Sequence, residues 1–168
     1  MSKYELPYPN IAELLAADAR GEVSLETLDD TLWYFMTERG GPADTPSNSS
    51  GPVQHYVASR LMEWEVGNGG FAQAVHNIPE WFNAAAEGYK AMGIESSAAR
   101  IRRAQALMAE GAAMFTRGAD VTIEQVFSEF AESKLSELDK GLAEIGWWAI
   151  EARIAYVRDN RSAFTGVA

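Results

Sequence analysis

The sequence predicts an all-α fold, and three observations predict it. Apolar residues recur at three- and four-residue spacing from Ile11 to Val157. Polar residues suited to helix caps stand where those stripes begin. No run alternates as a half-buried strand would, and no internal repeat is present. At 168 residues, with 47% hydrophobic and 11% aromatic content, the chain has material for one packed domain over 1–168, built of about seven to eight helices. A chain of this size buries roughly 68–70% of its unfolded surface.

The elements follow in order. Asn10 can cap a short helix carrying Ile11, Leu14 and Leu15, which Gly21 stops. Ser24 caps a second, where Leu25, Leu28, Leu32 and Phe35 share a face and Glu26 sits in the first turn, favourably for the helix dipole. From 40 to 52, Gly, Pro, Ser and Asn collect without periodicity, which predicts a mobile loop. Helical spacing resumes with Val53, Val57, Leu61 and Trp64, breaks at Gly67-Asn68-Gly69-Gly70, and returns with Phe71, Ala74 and Val75. Pro79 suits the first turn of a helix through Trp81, Phe82, Ala85 and Tyr89, ending near Gly93. Ser96 or Ser97 opens the next, with Ile101, Ala104, Leu107, Met108 and Met114. Thr122 and Gln125 make a capping box ahead of Val126, Phe127 and Phe130.

A last long helix is predicted over about 138–160, central because it is apolar over a wide arc. Leu142, Ile145, Ala149, Ala152 and Tyr156 form one stripe; Trp147, Ile150, Ile154 and Val157 form a second beside it. Lys140, Glu144, Glu151 and Arg158 share the polar strip, with Lys140 and Glu144 an i,i+4 pair. Gly146 and Arg153 fall between the stripes, where Gly146 would let a neighbouring helix approach. Pointing inward, Arg153 needs a carboxylate such as Glu65; pointing outward, it snorkels to water.

Composition narrows the function. There is no cysteine, so disulfides, thiolate metal sites and cysteine nucleophiles are excluded. No stretch approaches the ~20 apolar residues of a membrane span, and no apolar run follows Met1-Ser2-Lys3-Tyr4-Glu5 to act as a leader, so a cytoplasmic protein is expected. The 24 acidic and 14 basic residues give a formal charge of −10, a surface that repels nucleic acid and anionic lipid and attracts basic partners. His55 and His76 stand in no metal-binding spacing, and no metal or other cofactor is expected. Core packing accounts for the Trp147-Trp148 pair.

The most informative run is Glu65-Val66-Gly67-Asn68-Gly69-Gly70-Phe71-Ala72-Gln73, closed by Asn77. Locally it reads as a tight polar turn between two helices, with Asn68, Gln73 and Asn77 knitting the junction through backbone bonds. It lacks the lysine and hydroxyl of a phosphate-binding loop, and Glu63 and Glu65, two apart, face different sides of a helix and form no acid/base pair. The pattern Glu65-x-x-Asn68-Gly69-Gly70-Phe71-x-Gln73-x-x-x-Asn77 resembles the hallmark of the DNA-mimic protein domain, a bacterial family of small helical proteins. Val53-Gln54, Ala91-Met92-Gly93 and Leu135-Ser136-Glu137-Leu138-Asp139 resemble other parts of it, and the likeness covers roughly residues 24 to 164. Ala74 and Val75 depart from the aromatic residues that often follow the glutamine.

The resemblance implies an all-helical acidic dimer whose carboxylates imitate DNA phosphates and occupy the DNA-binding face of a transcription regulator. Its partner is then a basic DNA-binding protein, with no direct contact to nucleic acid or membrane, and it is no enzyme. The candidate partner-binding carboxylates are Glu13, Asp18, Glu22, Glu26, Asp29, Asp30 and Glu38 toward the N-terminus, and Glu124, Glu129, Glu132, Glu137, Asp139 and Glu144 in the last third. Arg100, Arg102, Arg103 and Arg117 make the stretch between them locally basic, so one face would be used. Two other readings stand beside this one: an immunity-type or regulatory adaptor that binds a basic protein without imitating DNA, and a small enzyme or ligand-binding protein using the glycine junction.

Overall fold

Both N-terminal caps form as their residue types require. In the computed structural model, which describes residues 7–37, 41–116 and 134–167, Asn10 Oδ1 accepts the Glu13 amide at 2.9 Å and opens α1, Ile11–Ala19. Ser24 Oγ accepts the Thr27 amide at 3.2 Å and opens α2, Leu25–Met36. Each cap satisfies a donor that a helix start leaves without an intrahelical acceptor. Then come α3, Gly51–Asn77; a 3₁₀ turn, Pro79–Trp81; α4, Phe82–Ala91; α5, Glu95–Thr116; α6, Ser136–Leu138; α7, Ile150–Asp159; and α8, Arg161–Phe164. The fold is all-α, and no strand occurs among the described residues. Glu38, and the capping box at Thr122 and Gln125 with Val126, Phe127 and Phe130, lie outside the described residues.

Packing divides the described residues into two units. The first takes in those up to Val57 and those from Ala149 onward; the second runs from Ala58 to Trp148. In the first, α1 packs on α2 and α2 on α7, with Leu14, Leu15, Leu28, Leu32, Tyr56, Ile154, Val157 and Phe164 buried. The segment before α3 is tied internally: Asn48 Nδ2 donates to the Gly41 carbonyl at 2.9 Å and Gln54 Nε2 to that of Pro46 at 2.6 Å. In the second, α4 packs on α5. There Trp147 is fully buried, stacked on Tyr89 at 5.1 Å between centroids and met edge-on by Phe71 at 5.2 Å.

Two expectations need correcting. The predicted helix over 138–160 is not one helix. After α6 the chain turns at Gly141 (φ 63°), makes a 3₁₀ turn at Ala143–Ile145 and enters the left-handed region at Gly146 (φ 70°, ψ 35°). Helix returns only at Ile150. Gly146 therefore ends a turn instead of admitting a neighbouring helix, and the chain's reversal is what drives Trp147 into the core of the second unit. Its carbonyl accepts the Tyr89 hydroxyl at 3.0 Å, while Ser96 and Ser97 donate to the Ile145 carbonyl at 3.0 and 3.2 Å. With the helix broken, Lys140 pairs with Glu137 at 2.5 Å, not with Glu144.

The second correction concerns α3. Its buried line within the second unit runs Ala58, Met62, Val66, at i,i+4 spacing, and leaves Trp64 66% exposed. Trp148 is likewise 55% exposed, so the core accounts for one member of the Trp147-Trp148 pair only.

Candidate functional site

The glycine run joins two helical segments within α3 at a kink, as its local reading expects. Gly67 and Asn68 keep helical angles; Gly69 (φ −158°, ψ 25°) and Gly70 (φ 71°, ψ −175°) do not. The Gly70 conformation is essentially restricted to glycine. Such a break creates a new helix start whose first amides lack acceptors. Asp139 supplies one: its Oδ1 accepts the Phe71 amide at 2.8 Å. The carboxylate lies so close that a Cβ on Gly70 would stand 2.3 Å from Oδ2. Arg100 fixes the segment that presents Asp139, donating to the Leu138 carbonyl at 2.8 Å and also to that of Lys140.

Glu65 staples the two sides of the kink. Its Oε2 accepts from Gln73 Nε2 and from Asn77 Nδ2, each at 2.8 Å. The junction is thus knitted through a carboxylate instead of the backbone bonds expected of Gln73 and Asn77. Phe71, just past the kink, is fully buried on Trp147. Glu65, Gly69, Gly70, Phe71, Gln73 and Asn77 all hold the junction together, and Asn68 lies exposed beside them.

Asp139 is half-buried, and desolvation raises its pKa above the ordinary aspartate value against the opposing pull of the Phe71 amide and Arg100. A carboxyl whose folded pKa is raised binds its proton more tightly in the folded state, so its contribution is greatest below the unfolded pKa and is lost as pH rises through the folded one. Asp139→Asn keeps an oxygen for the Phe71 amide and removes the titration. In thermal melts from acid to neutral pH, wild type is expected to lose ground against Asp139→Asn as pH rises; a constant difference would contradict the assignment.

The predicted acidic face divides when its members are placed. Asp29 does not belong to it: it is 1% exposed, and Arg153, also 1% exposed, grips it with Nε on Oδ1 at 3.1 Å and Nη2 on Oδ2 at 3.0 Å. The inward Arg153 therefore pairs with Asp29, not Glu65. The Tyr56 hydroxyl completes the cluster, 2.9 Å from the Asp29 carbonyl and 3.0 Å from Oδ1. Asp18, its side chain 6% exposed, takes Arg158 in a two-point pair at 2.9 and 2.6 Å, which raises the pKa of Arg158. Glu22 takes Arg20, whose hydrogen bond lowers the pKa of Glu22.

Glu13, Glu26 and Asp30 of the first unit are exposed, as are Asp44, Glu151 and Asp159, which the prediction omitted. In the second unit Glu137 and Glu144 are exposed, while Asp139 serves the kink. Glu124, Glu129 and Glu132 lie outside the described residues. His55 bonds the Tyr156 hydroxyl at 2.8 Å and His76 is exposed. Among the described residues no group of three His, Asp or Glu side chains could hold a metal ion, and no helix is long and apolar enough to cross a membrane.

The burial of Asp29 had a signal in the sequence. It stands four residues after Leu25 and three before Leu32, inside the apolar stripe of α2.

Comparison with known proteins places these features in a family. No curated protein and no solved structure matches the chain. A family model, that of DMP19-like protein, matches residues 47–160, taking in all of α3 with its kink, Glu65 staple and Asp139 cap, and leaving α1 and α2 outside. The matched span is well over half of the 168 residues, and the chain belongs to the DMP19-like protein family.

Proposed function

We propose that this chain is a non-enzymatic, acidic, protein-binding module that inhibits a DNA-binding protein or transcription regulator by occupying its basic DNA-binding face in place of duplex DNA. The observation that carries the reading is membership of a DNA-mimic family joined to a net charge of −10. The first unit supports it locally. Three of its arginines, Arg20, Arg153 and Arg158, are engaged by Glu22, Asp29 and Asp18. Glu13, Glu26, Asp30, Asp44, Glu151 and Asp159 face water, so the outward field of this unit is negative.

Duplex DNA carries about one charge per 1.7 Å of axis, and a protein that binds it arrays Lys and Arg to match. Glu26 and Asp30 are four apart on α2, which sets their Cβ atoms ~5–6 Å apart. Rigid helices can hold carboxylates at such intervals, and a dimer would lengthen the ladder. The partner is then a basic DNA-binding protein of the cytoplasm, and neither nucleic acid nor membrane is contacted.

Affinity capture from the native cell should recover a DNA-binding protein, and adding this chain should release that protein's DNA in a salt-sensitive manner. Combining Glu13→Gln, Glu26→Gln and Asp30→Asn should weaken binding about three- to a hundredfold at low salt, from three exposed ion pairs of ordinary strength. Unchanged affinity and salt dependence in this variant would contradict the reading. A captured basic protein that keeps its DNA while bound would favour an adaptor.

A further inference from the structure

One polar side chain of the glycine run takes no part in stapling it. Glu65, Gln73 and Asn77 bond to one another across the kink, while Asn68 and Gly69 beside them are exposed. Asn68 is also the one asparagine of the chain that glycine follows: Asn10, Asn48, Asn77, Asn83 and Asn160 precede Ile, Ser, Ile, Ala and Arg. That difference is chemical. The backbone nitrogen after an asparagine can reach its amide carbon through a five-membered ring, and glycine has no side chain to shield that nitrogen. Packing dictates the glycine here, because a Cβ at Gly69 would collide with the Gln73 side chain. The kink thus sets a reactive pair on the surface.

We propose that Asn68-Gly69 is a self-modification site, at which Asn68 deamidates at a rate set by how often the kink opens. The Gly69 nitrogen, having lost its proton to solvent base, bonds to Asn68 Cγ; the Cγ–Nδ2 bond breaks, and ammonia leaves with a proton taken from solvent. Water then opens the cyclic imide. Cleavage of the new Cγ–N bond gives aspartate, and cleavage between the residue 68 carbonyl carbon and that nitrogen gives an isoaspartyl linkage. On either route one water enters, one ammonia leaves and nothing is oxidised. Ring closure needs rotation about the Asn68 Cα–C bond, away from the helical angles that Asn68 holds. The closed kink therefore protects the site. What holds it closed is the Glu65 staple together with the Asp139 bond to the Phe71 amide.

The product acts back on the kink. Residues 65 and 68 are three apart on the helix, their Cβ atoms ~5–6 Å from each other, so a new carboxylate at 68 opposes the charge of Glu65. Glu65 is the acceptor for both Gln73 and Asn77. The isoaspartyl form also adds a backbone carbon just before Gly69 and Gly70, where Gln73 and Asp139 leave no room for a methyl. Deamidation is thus a one-way switch from a closed kink to a looser, more negative one, whatever the chain binds.

Incubation of the full chain at mildly alkaline pH, with peptide mass mapping over time, tests this. Asn68 should convert ahead of every other asparagine, and more slowly in the native chain than in the same chain unfolded in urea. Asp139→Ala should speed conversion about ten- to a hundredfold, the effect on the open population of losing one hydrogen bond to a charged group. Gln73→Ala should act in the same direction, and it carries the comparison if circular dichroism shows Asp139→Ala unfolded. Asp29→Asn, which weakens the first unit instead, should change the rate far less, because the opening is local. Asn68→Gln should nearly abolish conversion. Exchange of the Phe71 amide, followed by NMR, should quicken about twofold in Asn68→Asp and further in the purified isoaspartyl product.

The site is overturned if the urea-unfolded chain converts while the native chain and the kink variants do not. Control by the kink is overturned if the native chain converts as fast as the unfolded one, or if Asp29→Asn accelerates conversion as much as Asp139→Ala or Gln73→Ala. Unchanged Phe71 exchange in the isoaspartyl product overturns the switch.

Discussion

Replacing Asp29 by alanine is expected to destabilise the protein by about 3–5 kcal/mol, the cost of leaving a buried charge without its partner. Arg153 is 1% exposed, so its guanidinium cannot reach water without opening the packing of α2 on α7. The pair is two-point, and the Tyr56 hydroxyl is placed against the same carboxylate. Asp29→Asn should also destabilise, because the amide keeps the shape but not the charge. Changing both partners to apolar residues, Asp29→Leu with Arg153→Met, should recover much of the loss, as buried pairs often tolerate joint replacement. Urea denaturation of the three variants gives the comparison. A loss below about 1 kcal/mol for Asp29→Ala would place Arg153 in water in solution, since exposed pairs contribute only ~0–1 kcal/mol.

Gly70→Ala is the second large effect. The backbone there, at φ 71° and ψ −175°, admits glycine alone without strain of about 1–3 kcal/mol. The new methyl would also meet Asp139 Oδ2 at 2.3 Å, so the carboxylate must leave the Phe71 amide. Losing a hydrogen bond to a charged group adds about 1.5–3 kcal/mol, for a total of roughly 2.5–6 kcal/mol. Gly67→Ala in the same helix has no such backbone strain, so its stability should change far less. Thermal melts of the two variants separate these roles. Equal destabilisation would mean that the run acts as a single flexible hinge and not as three glycines with separate duties.

The local signals were legible, and the long-range ones were not. Asn10 and Ser24 announced their helices because a cap depends on residues three apart. The break at Gly69 and Gly70 was visible for the same reason, and it lies within the span that the family model matches. What holds the break was hidden: Asp139 is 68 residues from Phe71, and no spacing rule links them. The same distance in sequence concealed the partner of Arg153, which lies 124 residues away, and made Glu65 a plausible but wrong choice.

Periodicity misled in two places where apolar residues continued across a change of direction. From Leu142 to Val157 the stripes persist on a wheel, yet Gly146 turns the chain in the middle, and the glycine was the better guide. On α3 the Leu61 and Trp64 line looked like core because tryptophan is large and apolar, whereas Met62 and Val66 fill that role. Of the acidic face, charge count predicted the sign but not the membership. Asp29, Asp18 and Asp139 serve arginine partners or a helix start within the fold, and Asp44, Glu151 and Asp159 face water without having been singled out.

The most direct measurement of the central claim is competition on the captured DNA-binding protein between labelled duplex DNA and this chain. Mimicry predicts mutual exclusion: anisotropy of the DNA falls to its free value as the chain is added, with an apparent affinity that weakens steeply as salt rises. A stable ternary complex of partner, DNA and this chain would contradict it.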